Sequence, residues 1–291
     1  MKSSKTHNFL LIGLPSTGKT SFLAALWFAI QQSVTATGLV LKKLDGDSTY
    51  LNAIRTAWLT YKPVGRNPTD SEKLVSMWLK KRDGDEEVHL TFPDVSGESF
   101  KEQWVDRHLS LTYSECLKTA DGALLFIHPT SIIQPLRITE VDDLAALIDD
   151  EVAAEATEPM TSAPPPTTWS IEKAPTQVQL VELLQFLKQH AHFRSVFPLV
   201  VLVSAWDLVE GSKITPENWV KLQLPLLHQF LVSNGDTFNA RFFGVSAQGG
   251  KYEGKDLAEM QNKTPAERIE IVGSGVKNKH DITEPLQWLM Q

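Results

Sequence analysis

The chain has 291 residues, 42 % hydrophobic and 22 % charged, with a formal net charge of −7. That length buries a sizeable core, and the acidic balance excludes a globally basic surface for nucleic acid or an anionic membrane. The single cysteine, Cys116, cannot form an internal disulfide, so a reducing, cytoplasmic setting is expected.

The opening MKSSKTHNFLLIGLP has a basic start and a short apolar run but no small-residue cleavage site. It reads as a first strand, Phe9–Leu14, rather than a signal peptide. A helix is expected over Lys19–Gln32, apolar almost all round and therefore covered on most sides. Asp47–Tyr61 is amphipathic, with Tyr50, Leu51, Ile54, Ala57, Trp58 and Tyr61 on one stripe and Pro63 beyond its end. Leu74–Arg82 and Glu87–Asp94 flank Asp83-Gly84-Asp85-Glu86, a hairpin pattern.

Buried strands are expected at Ala123–His128, Leu199–Ser204 and Phe242–Val245, with helices at Gln177–His190, Trp219–Val232 and Glu284–Met290. No apolar stretch reaches membrane-spanning length. Strands alternating with helices predict an α/β fold of three layers. Its mostly parallel sheet is covered on both faces, and the hairpin adds one antiparallel strand. One domain is expected over 1–291. It carries a flexible acidic and proline-rich insertion at 130–175, within which Ile138–Val152 has the pattern of a short helix, and a long loop at 248–280. Glu140–Glu158 has many acidic residues and no Lys or Arg, which suits a solvated loop or a partner-binding tail.

Gly13-Leu14-Pro15-Ser16-Thr17-Gly18-Lys19-Thr20 fits the spacing GxxxxGK followed by Ser or Thr, between a strand and a helix. Glycines let the backbone approach an anion, successive N–H groups point inward, and the helix start adds its positive dipole end. In this phosphate loop Lys19 would bridge β- and γ-phosphates, Thr20 would ligate Mg²⁺ and Ser21 would reach the α-phosphate. ATPases, kinases and GTPases all use such a loop. The hairpin's second strand runs into Phe92-Pro93-Asp94-Val95-Ser96-Gly97-Glu98. There Asp94 would hold Mg²⁺ through water, and the Gly97 N–H would sense a γ-phosphate.

With these motifs in this order the chain resembles the Ras-like, translation-factor (TRAFAC) class of P-loop GTPases. The resemblance implies a Mg²⁺-dependent nucleotide switch that turns GTP into GDP and phosphate and signals to a protein effector or regulator. It also implies a Thr before the hairpin, and Thr69 in Asn67-Pro68-Thr69-Asp70 stands there to complete the Mg²⁺ shell. Thr56 and Thr60 are poorer candidates inside the helical stretch. The class reads guanine with Asn-Lys-x-Asp. Here Ser204-Ala205-Trp206-Asp207 keeps the Asp, which takes the base N1–H and exocyclic NH₂ together, and lacks the stacking Lys. Ser246-Ala247-Gln248 resembles the Ser-Ala motif whose N–H meets guanine O6. The Tyr50-Leu51-x-x-Ile54 helix, Trp206, and the closing His280-Asp281-Ile282-Thr283-Glu284-Pro285-Leu286-Gln287-Trp288 also resemble the double-GTPase proteins of bacterial conflict and defence gene neighbourhoods.

Phosphoryl transfer to water needs positioning and charge stabilisation. Glu98 occupies the place of the water-orienting Gln of Ras-like proteins. It would act as a proton acceptor, or it is an exposed residue of the loop; Gln103 is a weaker candidate. Arg66, three residues before Thr69, is placed like the built-in Arg finger of heterotrimeric G-protein α subunits, which Pro15 would make more useful by crowding an inserted one. Two alternatives stay open: a P-loop ATPase, motivated by Ala205, and a nucleotide-holding assembly subunit with little turnover, motivated by Glu98.

Overall fold

The computed structural model describes residues 6–32, 37–63, 74–93, 104, 109–135, 173–191, 196–209 and 213–291. Among these residues the strands form one eight-stranded sheet in the order β2-β3-β4-β1-β5-β6-β7-β8. The strands are β1 Thr6–Gly13, β2 Leu39–Asp45, β3 Leu74–Lys81, β4 Glu87–Pro93, β5 Gly122–Ile127, β6 Phe197–Ser204, β7 Phe238–Ser246 and β8 Glu270–Gly273. β1, β4, β5, β6 and β7 are mutually parallel. β3 runs against both β2 and β4, as the Asp-Gly hairpin predicts. β8 is a second reversed strand, antiparallel to β7, where a single one was expected.

The helices are α1 Lys19–Gln31, α2 Thr49–Leu59, α3 Leu111–Thr119, α4 Thr176–His190, α5 Pro216–Gln223, α6 Pro225–Ser233, α7 Gly254–Gln261, α8 Pro265–Arg268 and α9 Glu284–Leu289. Alternation along the strands sorts them into two layers. Phe9, Leu11, Leu124, Phe126, Val200 and Leu202 face α1, α2 and α9. Leu10, Ile12, Ala123, Leu125, Leu199 and Val201 face α3, α4, α5 and α6. The expected three layers are thus present.

α1 has no polar face, because the sheet lies on one side and α2 on another. Every residue from Phe22 to Ile30 is buried. Each large side chain among them contributes about 1.5–3 kcal/mol on leaving water. Trp27 Nε1 donates to Asn52 Oδ1 at 3.1 Å and ties α1 to α2.

The expected helix over Trp219–Val232 is two helices, α5 and α6. Pro225 lacks an N–H and drives Leu224 out of helical geometry, to φ −135° and ψ 59°. The stretch 248–280, expected as a loop, holds α7, α8 and β8. Most of the expected insertion, 136–172, lies outside the described residues.

Asp281, 3 % exposed, fastens the end of this stretch to the start of β2. Its carboxylate accepts from the Gly38 N–H at 2.8 Å, the Thr283 N–H at 2.9 Å, the Thr283 hydroxyl at 2.6 Å and Gln287 Nε2 at 2.8 Å. Thr283 Oγ1 in turn accepts from the Leu39 N–H at 3.3 Å. The closing His-Asp-Ile-Thr motif is thus a clip on the sheet edge.

Candidate functional site

The carboxyl ends of β1, β4, β5, β6 and β7 point the same way. From β1 the chain proceeds through α1 to β2, β3 and β4 on one side, and then to β5 on the other. That reversal beside β1 is where open α/β sheets form a ligand crevice. The loop between β1 and α1 sits there. Gly13 has φ 144°, and a Cβ on it would lie 2.7 Å from the Phe126 carbonyl oxygen of β5. Ser16 and Gly18 are left-handed, with φ 62° and 88°. A Cβ on Gly18 would lie 2.9 Å from Cβ and Oγ of Ser204, at the end of β6. Only glycine lets the loop turn this close to both strands.

The loop closes on itself. Thr17, 4 % exposed, donates from Oγ1 to Leu14 O at 2.8 Å. Lys19 Nζ donates to Gly13 O and Leu14 O, both at 2.8 Å, and lies 3.5 Å from Thr17 Oγ1. The N-terminus of α1 has no side-chain cap and no acidic residue in its first turn. Uncapped first-turn amides, the helix dipole and one ammonium group together favour an anion. Ser16 is exposed, and Thr20 and Ser21 are half-buried at the rim.

The base-side motifs meet as well. After β6, Ala205 is left-handed at φ 45°, and Trp206–Leu208 makes a tight helical turn. Trp206 is buried against Gly244, where a Cβ would lie 2.3 Å from its ring, and meets Trp219 edge-on at 6.5 Å. The tryptophan anchors the turn that presents Asp207. Asp207 Oδ1 accepts from Ser246 Oγ at 2.5 Å. The Ser-Ala-Trp-Asp and Ser-Ala-Gln motifs, 39 residues apart, are therefore joined directly. Ala247 O accepts from Trp58 Nε1 at 2.9 Å, which holds the second motif to α2.

His128 is a residue that motif reading passes over. It follows β5, half-buried, and its Nδ1 lies 3.0 Å from Thr130 Oγ1. Burial lowers its pKa, and the Asp207 charge opposes the shift. With Leu14, Pro15, Thr17, Thr176 and Gln179 it lines a cavity of about 140 Å³ beside the phosphate loop.

Arg66, Thr69, Asp94, Gly97 and Glu98, with Gln103, lie outside the described residues. Thr56 and Thr60 are occupied elsewhere: their hydroxyls donate to Asn52 O and Thr56 O, both at 2.8 Å. Among the described residues no cluster of three His, Cys, Asp or Glu side chains is placed to hold a metal. Mg²⁺ that arrives with a triphosphate takes few protein ligands, because phosphate oxygens and waters fill its shell. The half-buried Thr20 hydroxyl, in the first turn of the uncapped helix, is an oxygen donor of the kind it takes. Among the described residues no helix is long and apolar enough to cross a membrane.

A phosphate loop at the crevice of a mostly parallel sheet, with an Asp–Ser pair at the ends of the next strands, defines a P-loop GTPase fold. A family model described as Double-GTPase 1 matches residues 10–289, and the chain belongs to that family of GTPases. No curated protein matches. Among solved structures the chain is similar to the S. cerevisiae Ski7 GTPase-like domain bound to GDP and inorganic phosphate. Identity is 12 %, over 99 % of this chain and 50 % of that one, with TM-score 0.48. For the same domain bound to GTP the figures are 14 %, 85 %, 44 % and 0.43. The G domain of the T. maritima FeoB iron transporter is similar at 13 % identity, over 90 % of this chain and 98 % of that one, with TM-score 0.34. The chain thus spans about half the length of the Ski7 chains it matches.

Proposed function

We propose that the chain is a Mg²⁺-dependent guanine-nucleotide switch working as a single domain. The uncapped start of α1, with Lys19 folded over the loop before it, carries this reading. The amides of Gly13 and of Ser16–Ser21, including those of Thr17 and Gly18, cradle the phosphates, and Lys19 bridges the β- and γ-groups. Thr20 and Thr69 would ligate Mg²⁺ and Asp94 would hold it through water; when bound, the ion would supply neutralisation of charge on the phosphate oxygens. Asp207, oriented by Ser246, takes the guanine N1–H and NH₂, and the Ala247 N–H takes O6. The Gly97 N–H reports the γ-phosphate. Arg66 stabilises the charge of phosphoryl transfer, and Glu98 orients or deprotonates the attacking water.

The segments around Thr69 and Gly97 change shape with the nucleotide and signal to a protein effector. The single cysteine supports a cytoplasmic setting, and a place in bacterial conflict systems rests on the resemblance of the Tyr50-Leu51-x-x-Ile54 helix, Trp206 and the closing motif to double-GTPase proteins.

Equilibrium binding of GTP and ATP to the purified chain, with Lys19→Ala beside it, tests the proposal. GTP should bind more tightly than ATP, and the variant should lose both. A variant with undiminished affinity would remove the phosphate cradle from the proposal. Equal binding of the two nucleotides by wild type would favour the ATPase reading that Ala205 motivates.

A further inference from the structure

Arg268, the last residue of α8, is 2 % exposed. Its guanidinium carbon lies 4.3 Å from the centre of the Trp58 ring and 4.7 Å from that of Tyr61. Nε, Nη1 and Nη2 have no hydrogen-bond partner among the described residues. Tyr252, edge-on to Tyr61 at 5.9 Å, has a buried hydroxyl in the same condition. Burial lowers the Arg268 pKa and raises that of Tyr252 to about 12.

Stability alone does not call for an arginine in this box. A buried cation with unmet donors is destabilising, and contact with aromatic faces offsets only part of that. A methionine would fill the same space without the desolvation penalty. The arginine's neighbours supply another reason, because two contacts lead from it to one loop. Trp58, beneath the guanidinium, donates from Nε1 to Ala247 O at 2.9 Å. A cation on the indole face polarises that N–H and strengthens it as a donor. The second contact is made by the backbone. Gly249, at φ 93°, is pressed against Arg268, and a Cβ there would lie 2.9 Å from Arg268 O. The loop after β7 is held on both sides of Gln248 by one residue and the ring it stacks on.

We infer that Arg268 is a positioning residue for base recognition: through Trp58 and its own backbone it fixes the Ser246–Gly249 loop, so that the Ala247 N–H is held ready for a carbonyl at position 6 of a purine. This rests on the guanine reading proposed above. It also supplies a cation behind the base-reading loop of a chain in which Ala205 replaces the usual lysine.

Two analogues separate the contacts. 6-Thio-GTP replaces O6 with a weaker acceptor, and ITP lacks the 2-amino group assigned to Asp207. Wild type should bind GTP more tightly than 6-thio-GTP by up to about tenfold, the size of one net hydrogen bond. In Arg268→Met that gap should close to within about twofold through weaker GTP binding, while the GTP-over-ITP preference and the melting temperature are retained. Should that variant fail to fold, Trp58→Phe keeps an aromatic face beneath the guanidinium, loses the N–H together with the five-membered ring, and is read the same way. A folded variant that keeps the full 6-thio-GTP gap overturns the inference and leaves the guanine reading standing. A wild type without that gap overturns it too. A wild type that does not prefer GTP to ITP removes the Asp207 reading itself, and the inference with it.

Discussion

Replacing Asp207 with Asn gives a direct reading of base specificity. Ser246 Oγ donates to Asp207 Oδ1 at 2.5 Å, and an amide oxygen accepts the same bond, so the turn should keep its shape. What changes is the face offered to the base. The carboxylate takes two N–H groups from guanine as a charge-assisted pair. The amide oxygen, already engaged by Ser246, takes one at most, and its NH₂ meets the guanine NH₂ donor to donor. Losing one charge-assisted bond and adding a donor–donor contact costs about 3 kcal/mol, on the order of a hundredfold in affinity for GTP. Xanthosine triphosphate carries a carbonyl where guanine carries that amino group, so it accepts from the new amide and should bind the variant better than wild type. Calorimetric titrations with GTP, xanthosine triphosphate and ATP give the three numbers. Parallel loss of GTP and ATP, or no gain for xanthosine triphosphate, would refute recognition of the base by Asp207.

Gly18→Ala forces a left-handed alanine, at about 1–2 kcal/mol, and pushes Ser204 Oγ off Ile127 O, to which it donates at 3.1 Å, at about 1 kcal/mol more. Thermal melts should show that loss together with weakened nucleotide binding; an unchanged melt would mean the loop relaxes freely. The His128 pKa is depressed, so its contribution to stability is complete above the ordinary histidine value of about 6.5 and is lost as pH falls through the folded value. Melting temperature should therefore fall more steeply on acidification in wild type than in His128→Asn, and superimposable pH profiles would contradict this. Asp281→Ala strips four donors of a buried acceptor and should destabilise the fold by about 3 kcal/mol in urea titration; a loss under about 1 kcal/mol would show that water replaces the carboxylate.

The sequence carries the parts of the site that depend on local spacing. Gly13, Gly18 and Lys19 are legible because turn, dipole and ammonium must follow one another along the chain. Asp207 and Ser246 are legible through their place after apolar strands. Other elements hide for physical reasons. β2 carries Lys42 and Lys43 on an exposed edge, and its register shifts between Leu41 and Lys43, so no clean alternation survives. α3 is capped by Ser110 but buries only Tyr113 and Leu117. β8 is four residues long and gains its place by pairing with β7. Arg268 has no local signal at all, because Trp58, Tyr61 and Tyr252 give it meaning and two of them come from the other end of the chain.

The bond from the Gly38 N–H to Asp281 spans 243 residues. During synthesis, the Gly38 and Leu39 amides at the start of β2 therefore wait for Asp281 and Thr283 to leave the ribosome before they find their acceptors. Until then these two amides are unpaired at a strand edge, the kind of surface on which growing chains stick to one another. Chaperone dependence in this protein should concentrate in that interval and end when Asp281 and Thr283 emerge.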